Sequence, residues 1–252
     1  MKFALVVACW GREAVTQLCL TRFARAARGH DVLLVAATDE VGNGSMAVEL
    51  GYEVVSVPNA PLSDKHNAMA AHIRGRVDAM VLVGSDDWIC DRLFGVWAGE
   101  LERSPVVGVV DSWQVCTHRR AALFYAGYTT PTRVGESIGT ARALRSDVLD
   151  AVDWRPWPDG LSRGLDGGMT ARLRWLGYDT RGRAQASLGV RVLGLKGEDV
   201  LTPFERFERL PGMTAVSRDA ALDPFPADER DALEKLCQDL TKPIRTVPSR
   251  RR

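Results

Sequence analysis

The first ninety residues alternate between short apolar runs and segments with helical patterning. The apolar runs predict strands, those rich in Val, Leu and Ala being typical of strands buried on both faces, at residues 3–9, 32–37, 52–57 and 79–83. Helices are predicted between them, at residues 13–27, 45–50 and 64–74. Because strands and helices alternate, we expect an α/β fold with a mostly parallel sheet that helices cover on both faces.

The second half of the chain has a more mixed pattern. Extended segments are predicted at residues 106–111 and 187–195, with a hairpin or paired extended segments across 113–128. A loop rich in aromatic residues, Pro and Gly covers residues 154–165. Helices are predicted at residues 140–152, 166–176, 201–209 and 228–240. The regular alternation of the first half therefore does not continue.

Composition excludes several classes of protein. With 33 basic and 32 acidic residues the formal charge is +1, so the molecule lacks the strong positive field of a dedicated nucleic-acid binder. Five scattered cysteines without a CxxC pair indicate neither a disulfide framework nor a zinc site. The apolar start is too short to span a bilayer and meets Gly11-Arg12-Glu13 instead of a cleavage site. We expect a cytoplasmic protein without membrane insertion.

In parallel sheets, ligands bind at the carboxyl ends of the strands, here the loops at residues 10–13, 38–44, 58–67 and 84–88. The most specific of these loops contains Asp86 and Asp87 directly after a buried strand. Burying two carboxylates costs several kcal/mol unless cations or hydrogen bonds compensate. A divalent metal bound with diphosphate oxygens would compensate, whereas a solvated turn or helix N-cap needs no ligand. The residues alone leave both interpretations open.

Six blocks of sequence, in order, resemble the nucleotide-sugar glycosyltransferases of the GT-A fold, close to the family-2-like group and in particular its compact bacteriophage-type members. The blocks cover residues 8–13, 35–40, 59–67, 84–88 and 138–142, and the sixth combines 154–157 with 164–169. The resemblance implies a Rossmann-like α/β fold with a mostly parallel central sheet and a mixed acceptor-side half. It assigns residues 1–105 to nucleotide binding, 106–212 to the acceptor side, and 213–252 to a helical extension with a basic tail.

The resemblance also implies transfer of a sugar from a nucleotide-diphosphate donor to an acceptor hydroxyl. Asp39 would bind the base or ribose, and Arg12 the base or diphosphate. Lys65 would lie near phosphate, with Asn67 beneath the nucleotide. Each has a simpler alternative: a turn residue for Asp39, solvated side chains for Arg12 and Lys65, and a structural hydrogen bond for Asn67.

The family carries an Asp-x-Asp element where this chain has Gly84-Ser85-Asp86-Asp87, so the first aspartate is absent. By resemblance, Asp86 contacts ribose or metal and Asp87 is the ligand of metal or diphosphate. The expected ion is Mn²⁺ or Mg²⁺. A metal-independent variant stays open because one carboxylate is missing.

Asp166 matches the position of the catalytic base in inverting members of the family. A helix N-cap is the alternative, since Asp serves that position well. Leu165 replaces the acid that usually precedes the base, which leaves inverting and retaining chemistry both open. Gly139, Arg142 and Trp157 resemble the acceptor side. Further candidate contacts are His118, Trp113 and Trp154.

Two other functions remain open: a nucleotidyltransferase of related architecture and a degenerate, non-catalytic binding module. A dehydrogenase is disfavoured because no GxGxxG follows the first strand. The phage-like resemblance suggests a modified base in DNA as acceptor, and arginines at residues 119–120, 172–183 and 250–252 motivate that hypothesis. The near-zero net charge opposes it.

Overall fold

The computed structural model describes residues 1–197 and 203–241. The strands are β1 (Phe3–Ala8), β2 (Val32–Thr38), β3 (Glu53–Ser56), β4 (Ala79–Gly84), β5 (Asp87–Ile89), β6 (Val106–Val107), β7 (Ser112–Cys116), β8 (Ala122–Tyr125), β9 (Ala143–Arg145), β10 (Val192–Lys196) and β11 (Met213–Val216). The helices are α1 (Glu13–Ala26), α2 (Val41–Glu49), α3 (Leu62–His72), α4 (Leu93–Leu101), α5 (Ser146–Ala151), α6 (Leu165–Trp175), α7 (Gln185–Leu188), α8 (Phe204–Phe207), α9 (Arg218–Leu222) and α10 (Ala227–Thr241).

The first sheet has the strand order β3-β2-β1-β4-β9-β6. Its first four strands are parallel, and β9 runs antiparallel to both β4 and β6. Successive side chains of a strand point to opposite faces. Leu5 of β1 accordingly packs in a core that includes residues of α1 and α4, whereas Val6 packs in a second core with residues of α3. The predicted mostly parallel sheet with helices on both faces is confirmed.

The second sheet has the strand order β11-β8-β7-β10-β5. Strand β5 begins three residues after β4 ends and pairs antiparallel with β10, so that Asp87 lies opposite Gly194. The chain therefore passes from the first sheet to the second through Ser85 and Asp86. This passage places the acidic pair, Asp86 and Asp87, at the junction of the two sheets.

Several predicted elements differ from the structure. Residues 143–145, predicted as helix, form β9, because tertiary pairing between β4 and β6 outweighs local helix propensity. The strand predicted at 187–195 begins only at Val192, because α7 extends to Leu188 and is followed by Gly189 in the left-handed conformation. Strands β5 and β11 and helix α4 had no sequence signal that we recognised. The basic tail, 242–252, lies outside the described residues, as do residues 201–202 of a predicted helix.

Residues 213–241 are integrated into the fold. Strand β11 pairs with β8, and α10 packs on α1 with Leu233 buried in the core. Arg22 of α1, only 1% exposed, forms ion pairs with Asp91 and with Glu229 of α10, the latter at 2.6 Å. Within the described part of the chain, the helices are all too short or too polar to cross a membrane.

The burial of Arg22 generates a stability prediction. Arg22→Ala should lower the free energy of unfolding by about 3 kcal/mol, because it removes a fully buried guanidinium group from its ion pairs with Asp91 and with the largely buried Glu229, which then keeps only the longer pair with Arg25. Arg25→Ala is the control: Arg25 is 33% exposed and pairs with the exposed Asp228 at 2.8 Å and with Glu229 at 3.4 Å, so its loss should cost less than about 1 kcal/mol. Urea denaturation measures both values, and equal losses would contradict the assigned role of Arg22.

Candidate functional site

A cleft of about 1560 Å³ lies along the carboxyl ends of β1, β3 and β4. It exceeds the roughly 300–1,000 Å³ of a typical small-molecule site, so it has room for two substrates. The walls come from residues 10–15, 59–62, 82–87, 139–140, 162–167 and 195–197. Three of the four predicted loops therefore line the cleft. The fourth, residues 38–44, lies behind the loop that follows β1 and supports it.

Residues 11–12, in the loop after β1, hold a strained conformation. Gly11 and Arg12 both have left-handed backbones, with φ of 57° and 46°. Glu40 accepts a hydrogen bond from the Gly11 N–H at 2.8 Å, and Asn43 donates to the Gly11 carbonyl at 3.3 Å. Such strain costs about 1–3 kcal/mol at a non-glycine residue and persists only where the surroundings fix it. Here the loop is fixed with the Arg12 guanidinium 3.3 Å from Ser85 Oγ.

Two cations surround the carboxylate of Asp86. Lys196 Nζ lies 2.8 Å from Asp86 Oδ2, and Arg12 Nη1 lies 3.5 Å from the same oxygen. Burial alone would raise the pKa of Asp86, but Lys196 and Arg12 outweigh burial and lower it. Burial likewise opposes the charge of Lys196, yet Asp86 and Asp87 together raise the pKa of that ammonium group. Both groups of the pair are therefore charged near neutral pH.

Asp87 has a different environment. Its Oδ2 accepts a hydrogen bond from the Gly84 N–H at 2.6 Å, and its side chain is buried. Burial, as the main cause, and repulsion from Asp86, as the second, raise the pKa of Asp87 to about 7. In the part of the chain that the structure describes, no group of three or more His, Cys, Asp or Glu side chains could hold a metal ion. The acidic pair is compensated by Lys196 and Arg12, so the described residues do not fit a metal site made by protein ligands.

Two glycines make room for this ion cluster. A Cβ on Gly84 would lie 2.9 Å from Asp86 Oδ1 and 3.0 Å from Asp87 Oδ2. A Cβ on Gly194 would lie 2.7 Å from Lys196 Cε. Glycine at 84 thus provides the space into which the carboxylates of Asp86 and Asp87 fold.

Asp166 also lines the cleft, from the first turn of α6. Its Oδ2 accepts hydrogen bonds from the Gly139 N–H at 3.1 Å and from the Tyr128 hydroxyl at 3.4 Å. The N-cap of α6 is Gly164, so the structure excludes the alternative that Asp166 caps this helix. A Cβ on Gly139 would lie 2.7 Å from Asp166 Cγ and closer still to Oδ1. Glycine at 139 therefore allows the carboxylate to lie against the backbone.

Three predicted site residues are buried behind the cleft. Lys65 Nζ donates to the Cys9 carbonyl at 2.9 Å and to Asn59 Oδ1 at 3.1 Å, which ties together the loops after β1 and β3. Asn67 exchanges hydrogen bonds with the backbone of Trp157. Arg142 donates to the Ser137 carbonyl and to Thr170. In this arrangement all three side chains hold loops in place.

The remaining candidates fall at the rim or elsewhere. Asp39 is exposed and accepts a hydrogen bond from the Asn59 N–H at 3.1 Å. His118 lines the cleft and pairs with Glu205 at 3.1 Å. Trp113 and Trp154 are not among the residues that line the cleft. Burial raises the pKa of the Cys9 thiol to about 12, which excludes a nucleophilic thiolate there.

Sequence reasoning missed four residues of the cleft. Lys196 and Tyr128 stand far along the chain from the groups they bind, and no local pattern links them. Trp10 lines the cleft and is 54% exposed. Its position directly after a buried strand could have identified it from the sequence. His66 lies within a predicted block, where its ring stacks on Trp157 at 4.9 Å between centroids.

His66 predicts a specific pH dependence. Burial, and then the charge of Lys65, lower its pKa to about 4. The folded state therefore resists protonation, and stability falls as the pH drops from about 6.5 to about 4, by up to about 3 kcal/mol. His66→Phe and His66→Gln should both remove this part of the acid destabilisation. Urea denaturation between pH 7 and pH 4 measures it, and parallel curves for wild type and variants would contradict the account.

Sequence comparison gives no relative: no model of a known protein family matches the chain, and neither does any curated protein. Solved structures do match. TarS 1–349 of S. aureus has a TM-score of 0.55 at 15% identity, over 77% of this chain and 60% of that chain. TarS 1–349 in complex with UDP-GlcNAc gives 0.53 at 14% identity, over 82% and 64%.

A third match is the mannosyltransferase PcManGT from Pyrobaculum calidifontis, in complex with GDP-Man and Mn²⁺. Its TM-score is 0.57 at 10% identity, over 95% of this chain and 69% of that chain. The chain spans about 60% of the length of the TarS chain that it matches. At such low identities the likeness concerns the fold. The chain therefore shares the α/β fold of TarS and of PcManGT, which is the GT-A fold.

Proposed function

We propose that the protein transfers a sugar from a nucleotide-diphosphate donor to an acceptor hydroxyl. One observation carries this proposal: the cations Arg12 and Lys196 and the carboxylate of Asp166 line the same cleft. Such an arrangement suits a reaction in which an anion is held and a proton is removed within one site. The complexes of TarS with UDP-GlcNAc and of PcManGT with GDP-Man support a donor of this class.

The donor would occupy the side of the cleft formed by the loops after β1 and β3. Arg12 presents a fixed guanidinium there, and the first turn of α1 opens into the same space. Helix N-termini favour phosphate groups because their N–H groups and dipole point at the anion. Trp10 offers an exposed ring on which a base can stack, and Asp39 lies at the rim beside Asn59.

The acceptor would bind beside Asp166. As the acceptor oxygen attacks the anomeric carbon, its proton passes to the Asp166 carboxylate. The bond between the anomeric carbon and the phosphate oxygen breaks, and the nucleoside diphosphate leaves with that electron pair. The hydrogen bonds from Gly139 and Tyr128 orient the carboxylate for this step. The sequence predicts Mn²⁺ or Mg²⁺ on Asp87, but the described residues offer no metal site made by protein ligands, and the proton transfer to Asp166 does not depend on a metal.

The donor assignment is tested by the thermal stability of the protein with UDP-, GDP-, CDP- and dTDP-sugars, with and without Mn²⁺. A ligand that binds only the folded state raises the melting temperature. We expect one nucleotide to stand out from the others. No shift with any sugar nucleotide would contradict the proposal, and a shift without any transfer would favour the non-catalytic binding module.

Asp166→Asn should separate binding from chemistry. Because the amide cannot accept the acceptor's proton, the rate of transfer should fall by about 10²–10⁴-fold while donor affinity stays unchanged. Asp179→Asn, on an exposed side chain that does not line the cleft, is the control and should retain full activity. An equal loss of donor affinity in Asp166→Asn would contradict its role as base.

Gly139→Ala should have a similar effect through sterics. The added methyl group would collide with the Asp166 carboxylate and displace it, lowering the transfer rate at least about tenfold while the donor still binds. Gly99→Ala in α4, where a Cβ meets nothing within 4 Å, is the control. Initial-rate measurements on both variants check this, and full activity in Gly139→Ala would show that the position of Asp166 is unimportant.

The acceptor itself stays a hypothesis. Several arginines that suggested DNA are paired with carboxylates: Arg119 with Glu208, Arg181 with Asp179 and Arg183 with Glu100. The basic tail lies outside the described residues. Titration of duplex DNA at low and moderate salt tests the hypothesis, and the absence of salt-sensitive binding would count against DNA as acceptor.

A further inference from the structure

We propose that Lys196 and Arg12 bind the diphosphate of the donor directly, so that donor binding needs no divalent metal. The proposal rests on the proposed function, because it assumes a nucleoside-diphosphate ligand in the cleft. It assigns a specific task to Lys196, whose ammonium group lies 2.8 Å from Asp86 and whose neighbours Leu195 and Gly197 also line the cleft.

The contacts in the cluster favour an anion. Lys196 and Arg12 carry two positive charges, and both pair with the same carboxylate, that of Asp86. The side chain of Asp87 is buried, accepts a hydrogen bond from the Gly84 N–H at 2.6 Å, and forms no ion pair with either cation in the described part of the chain. Two cations at the edge of the cleft therefore share one carboxylate as their ion-pair partner, which leaves both able to bind a diphosphate.

The two cations also have unused capacity to donate hydrogen bonds. Arg12 Nη1 is buried and makes no hydrogen bond to any described residue, although it lies 3.5 Å from Asp86. An ammonium group has three donors, and Lys196 has hydrogen bonds to a single described side chain, Asp86. An unsatisfied buried donor on a charged group costs free energy that a bound phosphate oxygen would recover.

The residues around Lys196 and Arg12 hold both side chains close to Asp86. The Lys196 side chain lies over Gly194, where a Cβ would be 2.7 Å from Cε, and so folds back towards the acidic pair. Arg12 is held by a strained backbone that Glu40 and Asn43 fix. Rigid donors lose little conformational freedom when they bind, which favours affinity.

A divalent ion would have to compete with this arrangement. PcManGT holds Mn²⁺ together with GDP-Man. In this chain Asp86 already pairs with the ammonium group of Lys196 and the guanidinium group of Arg12. The positive charge that a metal would bring to the diphosphate is therefore supplied by side chains.

The test is calorimetric titration of UDP, GDP, CDP and dTDP into the full chain, with EDTA and again with Mn²⁺. At least one nucleotide should bind in EDTA, with a dissociation constant within about threefold of its value in Mn²⁺. Lys196→Met should weaken that binding by about tenfold to a hundredfold, whereas Lys196→Arg should recover most of it. Lys235→Met, an exposed lysine that does not line the cleft, is the control and should bind normally.

Two further measurements guard against a trivial loss of fold. The double variant Asp86→Asn with Lys196→Met removes both members of the ion pair, so no unpaired charge remains, and it should bind as weakly as Lys196→Met. Binding of the corresponding nucleoside without phosphates should be the same in Lys196→Met and wild type. A loss of nucleoside binding equal to the loss of diphosphate binding would overturn the proposed contact.

The outcomes separate this inference from the proposed function. Binding that requires Mn²⁺ and is unchanged in Lys196→Met would overturn the inference and leave the nucleotide donor in place. Binding of none of the four nucleotides, with or without Mn²⁺, would overturn both. Binding in EDTA that depends on Lys196 would establish the direct contact.

Discussion

Asp86 follows strand β4 of the first sheet, and Lys196 is the last residue of strand β10 in the second sheet. The ion pair between them joins the two sheets at the cleft. Neither charge would be stable there alone, because burial opposes both and only their mutual attraction, with help from Arg12, offsets it. The pair fixes the relative position of the two sheets at this edge. It also leaves positive charge facing the space where we place the donor.

Glycine makes the functional geometry possible at several points. Gly84 and Gly194 leave space for the ion cluster, and Gly139 allows Asp166 to lie against the backbone. In each case the close approach involves a charged side chain, so that even a methyl group would move a carboxylate or an ammonium group. The loop that carries the strained Arg12 backbone is likewise fixed by its surroundings, because Glu40 and Asn43 of the next βα unit bind the backbone of Gly11.

Much of the fold followed from the sequence because the parallel strands are buried on both faces and leave an unbroken apolar pattern. Asp86, Asp87 and Asp166 were found because a strand end and a helix start place them on the cleft. Lys196 was not found, since its partner is 110 residues away and a single lysine at a strand end carries no local signal. Lys65 and Asn67 were predicted to lie near the nucleotide. In the structure their side chains bind the backbone of loops behind the cleft, and the sequence pattern does not distinguish these two roles.

The most direct test of the account is a crystal structure of the protein grown without metal and with the nucleoside diphosphate that binds best. The account predicts phosphate oxygens about 2.7–2.9 Å from Lys196 Nζ and from the Arg12 guanidinium. It also predicts that the terminal phosphate, to which the sugar is attached in the donor, is directed towards Asp166. A nucleotide bound outside the cleft, or one whose phosphates leave Lys196 in contact with Asp86 alone, would contradict it.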